Sequence, residues 1–227
     1  MIISIHQPAY LPWLGYFDKI QRSDFFIYLD SVQLEKNSYS YTYRNKIKTP
    51  QGSTWLTIPL KTKGYTTNSI RDIRIDNSQH WKKKHLKNIF FNYKKAKFFD
   101  EVYPKIALLY EVDFDFFSDL AYQHMVFWLK EFNINTKIVK SSTLNIESKK
   151  SDLVLDLCSN FRASKYLSGA LGKDYLKEGG FDHRQIKIEY QNYRHPVYQQ
   201  VNGEFLPYMG IVDFWMNTHD VELITGE

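Results

Sequence analysis

The chain opens on a short apolar run, Ile2-Ile3-Ser4-Ile5-His6, that meets a proline two residues later. β-Branched and apolar side chains over this length predict a buried strand, and Pro8 forbids a further ladder donor, so the strand ends in a polar tip, His6 and Gln7. Pro12 suits the first turn of a helix, and Leu14, Phe17 and Lys19-Ile20 continue at helical spacing towards Arg22. Asp24 to Asp30 is again apolar and of strand length. With the helix as crossover it lies parallel to the first strand and closes a βαβ unit.

The next pattern is an alternation. Tyr39, Tyr41 and Tyr43 share one face if the stretch is extended, and Arg44, Asn45 and Lys46 follow as a cluster of donors. Rings followed by donors suit a phosphate or a base; a solvated hairpin with its tyrosines on the core shows the same alternation. Thr49-Pro50-Gln51-Gly52 predicts a turn, Trp55 to Leu60 a strand that Pro59 places at an edge, and Ile70, Ile73 and Ile75 a short extended segment. A helix capped by Ser78 should bury Leu86, Ile89, Phe90 and Tyr93. A second should run from Phe98 to Val112, broken near Pro104. A third, from Asp115 to Glu131, should bury Phe117, Leu120, Ala121, His124 and Trp128.

Further strands are predicted at Thr136 to Val139, at Lys165 to Leu167 and over 185–191, with a helix capped by Ser151 among them and a last helix around Phe214 and Trp215. The strand at Lys165 runs into Ser168-Gly169-Ala170-Leu171-Gly172, a small-residue turn that lets backbone approach a phosphate but lacks the full glycine pattern of a P-loop. His195 follows the strand over 185–191 as a second histidine past a strand end. His124 reads as a core histidine, and His80 and His85, five apart, do not share a helical face, which argues against a zinc pair.

Composition narrows the partners. The 227 residues fit a single domain, 1–227, with no repeat or Gly/Ser linker to divide it. Aromatics at 17% exceed ordinary usage, so many rings must lie at the surface or line a groove. The net charge of +5 suits an anionic partner: a nucleotide-linked sugar, a nucleic acid or a membrane surface. Lys82, Lys83, Lys84, Lys87, Lys94 and Lys95 on one helix read either as a solvated face or as a footprint for nucleic acid. The single cysteine, Cys158, excludes an intrachain disulfide and a cysteine-based metal site and is expected to be buried and inert. No segment reads as a membrane span or signal, so a cytoplasmic protein is expected.

Several blocks together carry a family resemblance. His6-Gln7-Pro8-Ala9-Tyr10-Leu11-Pro12-Trp13-Leu14-Gly15-Tyr16 with Asp18, Asp30-x-Val32-Gln33 with Lys36, Arg44-Asn45 and Trp55-Leu56-Thr57-Ile58-Pro59 resemble the WbqC-like family. So do Tyr166-Leu167-Ser168-Gly169, Tyr190-Gln191, His195-Pro196-x-Tyr198 and, more loosely, the segment from Phe205 to Asp213. The resemblance implies a place in surface-polysaccharide biosynthesis of the O-antigen type and a transfer of glycine or another aminoacyl group to a sugar. A more distant similarity, to nucleotidylyltransferases of the HIGH superfamily, is broken by a single His6 where those enzymes carry two histidines.

The expectation is therefore an α/β fold with a mostly parallel, Rossmann-like sheet flanked by helices, its site across the strand ends at His6, Asp30 and Ser168. The expected reaction moves an acyl or aminoacyl group, from acyl-CoA or aminoacyl-tRNA, onto a nucleotide-linked amino sugar. His6 is the favoured base and His195 the alternative. Asn45, or backbone N–H groups after Ser168, would stabilise an oxyanion. Gln7, Tyr10, Asp18, Lys36, Tyr41, Tyr43, Arg44, Lys46, Ser168 and Gly169 complete the expected substrate site, without a metal. Nucleotidyl or glycosyl transfer, and a non-catalytic module binding precursor or tRNA, are the alternatives.

Overall fold

In the computed structural model, which describes residues 1–34, 41–61 and 67–225, the first strand is the centre of the sheet. β1 (Ile2–His6) leads through α1 (Leu14–Gln21) to β2 (Phe25–Tyr28), and an antiparallel hairpin of β3 (Arg44–Thr49) and β4 (Gly52–Thr57) follows. Three helices, α2 (Trp81–Tyr93), α3 (Phe99–Glu111) and α4 (Phe117–Glu131), precede β5 (Lys137–Lys140). Then come α5 (Lys150–Asn160), β6 (Lys165–Ser168), α6 (Glu178–His183), β7 (Lys187–Tyr190) and α7 (Ile211–Asn217). The five-stranded sheet has the order β5-β2-β1-β6-β7, and every neighbouring pair is parallel.

A parallel sheet must be covered on both faces, which explains the unbroken apolar character of β1 and β2. Ile3, Ile5 and Ile27 face Leu153, Leu157 and Phe181 of α5 and α6. Phe26 and Tyr28, one residue out of phase, join the larger core with Phe17 and Ile20 of α1 and Leu120 and Trp128 of α4. Full burial of each such side chain contributes about 1.5–3 kcal/mol. The order also has a functional consequence. The chain lays β2 and β5 on one side of β1, then returns to the other side for β6 and β7, so the topology reverses between β1 and β6. Such a switch point leaves a crevice outside the carboxyl ends of the strands, where open α/β sheets hold ligands.

Several local expectations change. The buried line of α2 is Trp81, His85, Ile89 and Tyr93 at strict i+4 spacing, while Phe90 is exposed, because polar groups pin that line: Tyr10 Oη lies 2.8 Å from His85 Nδ1 and Tyr93 Oη donates to Asp213 Oδ1 at 2.8 Å. Ser78 caps no helix; its hydroxyl donates to Asp76 Oδ1 at 2.6 Å. Nor does Ser151, which accepts the backbone N–H of Lys177 at 2.9 Å. Pro104 does not break α3, since its missing N–H forgoes one bond near the exposed start of the helix while Val102, Ile106 and Tyr110 stay packed. Of the short extended segment expected at 70–75, Ile70–Asp72 forms a 3₁₀ turn, and Ile73 is extended and is followed by isolated bridges at Arg74 and Ile75. The tyrosine alternation does not enter a strand among the described residues: Tyr41 and Tyr43 precede β3, and Tyr39 lies outside them. Cys158 is buried, and burial pushes its thiol up to about 12.

Candidate active site at the sheet switch point

His6 ends β1 as the sequence pattern anticipates. Alternation puts it on the α1 face of the sheet, where its ring meets Tyr16 edge-on at 5.1 Å and Trp13 at 5.4 Å between centroids. His6 Nδ1 lies 2.9 Å from the Gln7 carbonyl oxygen, which accepts only from a protonated nitrogen. The ring therefore carries its proton on Nδ1 and presents Nε2 as acceptor. Burial, and next the charge of Lys19, hold its pKa down at about 3, so the imidazole is neutral at physiological pH.

Lys19 is the residue that periodicity alone passes over. Every side chain of α1 from Leu14 to Ile20 is buried, so the Asp18-Lys19 pair is carried inward with the apolar ones. Lys19 Nζ donates to the Ile5 carbonyl at 3.0 Å, at the end of β1, and burial lowers its pKa to about 7. Asp18 Oδ2 instead accepts from Gln191 Nε2 at 2.5 Å and pairs with Arg22 at 3.6 Å, while Oδ1 has no partner among the described residues. Burial raises the Asp18 pKa, partly offset by Gln191 and then Arg22. Across the crevice Ser168 ends β6 fully buried, its hydroxyl donating to the Gly169 carbonyl at 3.1 Å, and its own carbonyl accepts the Gln191 N–H at 2.8 Å. Asp30, at the end of β2, is occupied structurally by Ser142 Oγ at 2.8 Å, the Ser142 N–H at 2.9 Å and Ser141 Oγ at 3.1 Å.

From His6 an aromatic wall runs outward to the hairpin. Trp13 meets Tyr41 at 5.9 Å, and Tyr41 meets Trp55 at 5.3 Å. The antiparallel register sets Lys46 opposite Trp55 and Arg44 two residues away on the same face. The Arg44 guanidinium lies 4.4 Å from the Trp55 ring centroid, and Lys46 Nζ lies 5.0 Å from it. Tyr43 sits 6.0 Å from the same guanidinium. His6, Tyr41, Arg44 and Lys46 are thus joined by one continuous set of ring contacts.

Other expected residues sit elsewhere. Tyr10 is fully buried, its hydroxyl hydrogen-bonded to Tyr110 Oη and His85 Nδ1. The Asn45 amide is engaged, Nδ2 donating to the Leu11 carbonyl at 2.6 Å and Oδ1 accepting the Lys46 N–H at 2.8 Å. His195 occupies an aromatic cage of Tyr193, Tyr198, Phe205 and Tyr208, with Nδ1 donating to the Pro196 carbonyl at 2.9 Å. The Tyr193 ring of this cage packs so closely on Gly15 of α1 that a Cβ there would lie 2.9 Å from it. Lys36 lies outside the described residues. Trp13, Lys19, Trp55 and Tyr193 are neighbours of the site that sequence spacing does not reveal, because their contacts are made only by tertiary packing. A surface depression of about 460 Å³ lies elsewhere, between α2 and α3 at Lys83, Phe91 and Tyr103. Among the described residues no helix is long and apolar enough to cross a membrane, and no group of three or more His, Cys, Asp or Glu side chains could hold a metal.

A five-stranded parallel sheet flanked by helices, its strand order reversing between β1 and β6, makes this an α/β protein. The chain belongs to the WbqC-like protein family, whose model matches residues 7–223. It is similar to an uncharacterised protein of Mycobacterium tuberculosis, 32% identical over 219 residues that cover 95% of this chain and 93% of that protein. No solved structure matches.

Proposed function

We propose that this protein is a transferase of surface-polysaccharide biosynthesis, of the O-antigen type, moving an acyl or aminoacyl group onto the amine of a nucleotide-linked amino sugar. The observation that carries this reading is the aromatic wall joining His6 to Arg44 and Lys46. In this reading Arg44 and Lys46 hold the phosphates, Tyr41 and Tyr43 with Trp13 and Trp55 stack on base and sugar, and the sugar amine reaches the crevice between His6, Gln7, Ser168 and Gly169. The amine attacks the acyl carbonyl, the N–C bond forms, the thiolate of an acyl-CoA or the ribose oxygen of an aminoacyl-tRNA leaves, and the amine proton passes to a base. His6 is the base in this reading, accepting through Nε2, and since burial and Lys19 hold its pKa at about 3 the role requires the charge of a bound anionic ligand to raise it; His195 is the alternative base. Backbone N–H groups after Ser168 suit the oxyanion better than Asn45, whose amide nitrogen already donates to Leu11.

Thermal-shift measurement against amino-sugar nucleotides, nucleoside triphosphates with magnesium, and bulk tRNA tests the reading, because a ligand specific to the folded state raises the melting temperature. Stabilisation by the amino-sugar nucleotide, and an increase in its mass once an acyl donor is added, is the expected result. Stabilisation by triphosphate and metal alone would replace it with nucleotidyl transfer. A shift with tRNA alone, lost at modest salt and without product, would replace it with a binding module.

A further inference from the structure

We propose that the crevice between β1 and β6 is an oxyanion site, with Lys19 as the charge that meets a carboxylate or phosphate group against the Gly169 backbone. Lys19 is 2% exposed, yet its ammonium has one hydrogen-bond acceptor, the Ile5 carbonyl at 3.0 Å, and takes part in no ion pair among the described residues. A buried amine in a structural role is ordinarily paired with a carboxylate, and among the described residues no carboxylate pairs with this one. Asp18 of the same helix turns to Gln191 and Arg22, and Glu189 of β7 is shared between Arg22 at 2.6 Å and Lys165 at 2.8 Å. The remaining titratable group with a felt charge interaction is His6 of β1, which is neutral.

Gly169 makes the opening. Apart from its two chain neighbours, a Cβ built there would meet a single atom within 4 Å, Lys19 Nζ at 3.9 Å, so no other group stands between this backbone and the ammonium. The backbone at Gly169 is ordinary, φ −66° and ψ 162°, so the missing side chain answers no conformational need and leaves room instead. An amine aimed into a gap at the switch point, with N–H groups to spare and no counter-ion, lacks only an anion.

Proton linkage follows. An unliganded Lys19 with its pKa lowered to about 7 is largely neutral above that pH, whereas a bound anion favours the ammonium, so binding takes up a proton. Anion affinity should be highest below pH 7 and fall as pH rises through the unliganded pKa. The proposal rests on the placement of the site given above but not on acyl transfer, and its test uses no acyl donor, so the two readings fail separately.

The test is an NMR titration of the Lys19 side chain, assigned through bonds, in chloride, sulfate and acetate at matched ionic strength. Sulfate and acetate do not titrate near pH 7. We expect the Lys19 midpoint to rise by about one unit or more in one of the two oxyanions, equivalent to about tenfold tighter binding to the charged amine. Sulfate would indicate a phosphate-like group and acetate a carboxylate. Gly169→Val, which fits the same backbone and fills the gap, should lower the chloride midpoint by desolvating the amine further and abolish the rise above that baseline. One midpoint common to all three salts would overturn the proposal, as would an undiminished rise in Gly169→Val.

Discussion

His6 shows how one local decision sets chemistry. A hydrogen bond to the adjacent Gln7 carbonyl selects the tautomer, and burial keeps the ring neutral. His6→Ala should leave the fold intact and lower turnover by ~10²-fold or more, the scale for a lost general base; steady-state rates with the identified substrate check this. His124, 1% exposed against the rings of Tyr10 and Tyr110, has its pKa lowered from the ordinary 6.5 to about 4 by burial. Between those values the unfolded chain binds a proton that the folded chain refuses, so stability rises with pH through this window and is lost on acidification. His85 acts in the same direction. Urea denaturation should show a drop from pH 7 to pH 5 that His124→Leu reduces by about 1–2 kcal/mol. His6 was legible because a polar strand tip before Pro8 is a local signal. The role of Lys19 was not, because its place in the helical spacing does not say that the amine is buried until tertiary packing closes every side of that helix.

At the scale of elements, the hairpin and the loop after β1 are locked together. Leu11 has a left-handed backbone, φ 45°, and its carbonyl accepts from Asn45 Nδ2 of β3. Gly210, just before α7, donates its N–H to the Lys46 carbonyl at 2.8 Å, and a Cβ there would lie 2.8 Å from the Leu11 oxygen and 3.2 Å from that of Lys46. Neither backbone atom can move aside without shifting the aromatic wall. Gly210→Ala should therefore cost ~1–3 kcal/mol, read as a lower urea midpoint, and weaken ligand binding with it. The sheet was legible from β-branched runs bounded by Pro and polar residues. The burial line of α2 was not, because its phase is chosen by hydrogen bonds of His85 and Tyr93 to residues distant in sequence.

At the scale of the molecule, the strand order brings β1 and β6, separated by most of the chain, edge to edge, and open α/β sheets hold ligands at the carboxyl ends beside such a reversal. Sequence spacing cannot supply that adjacency, since the return from β5 to the far side of β1 is decided only when the whole sheet assembles. Arg44 lies at the far end of the wall from His6, so Arg44→Ala should weaken binding of a nucleotide-linked amino sugar by about 1.5–3 kcal/mol, the range for hydrogen bonds to charged groups. Calorimetry of a UDP-linked amino sugar, of UDP and of the free amino sugar, on wild type and on Arg44→Ala, tests the single continuous site most directly. The account predicts that the intact ligand binds more tightly than either fragment and that Arg44→Ala weakens the nucleotide-bearing ligands while sparing the free sugar. Equal affinity for the intact ligand and for UDP alone, or binding indifferent to Arg44→Ala, would contradict it.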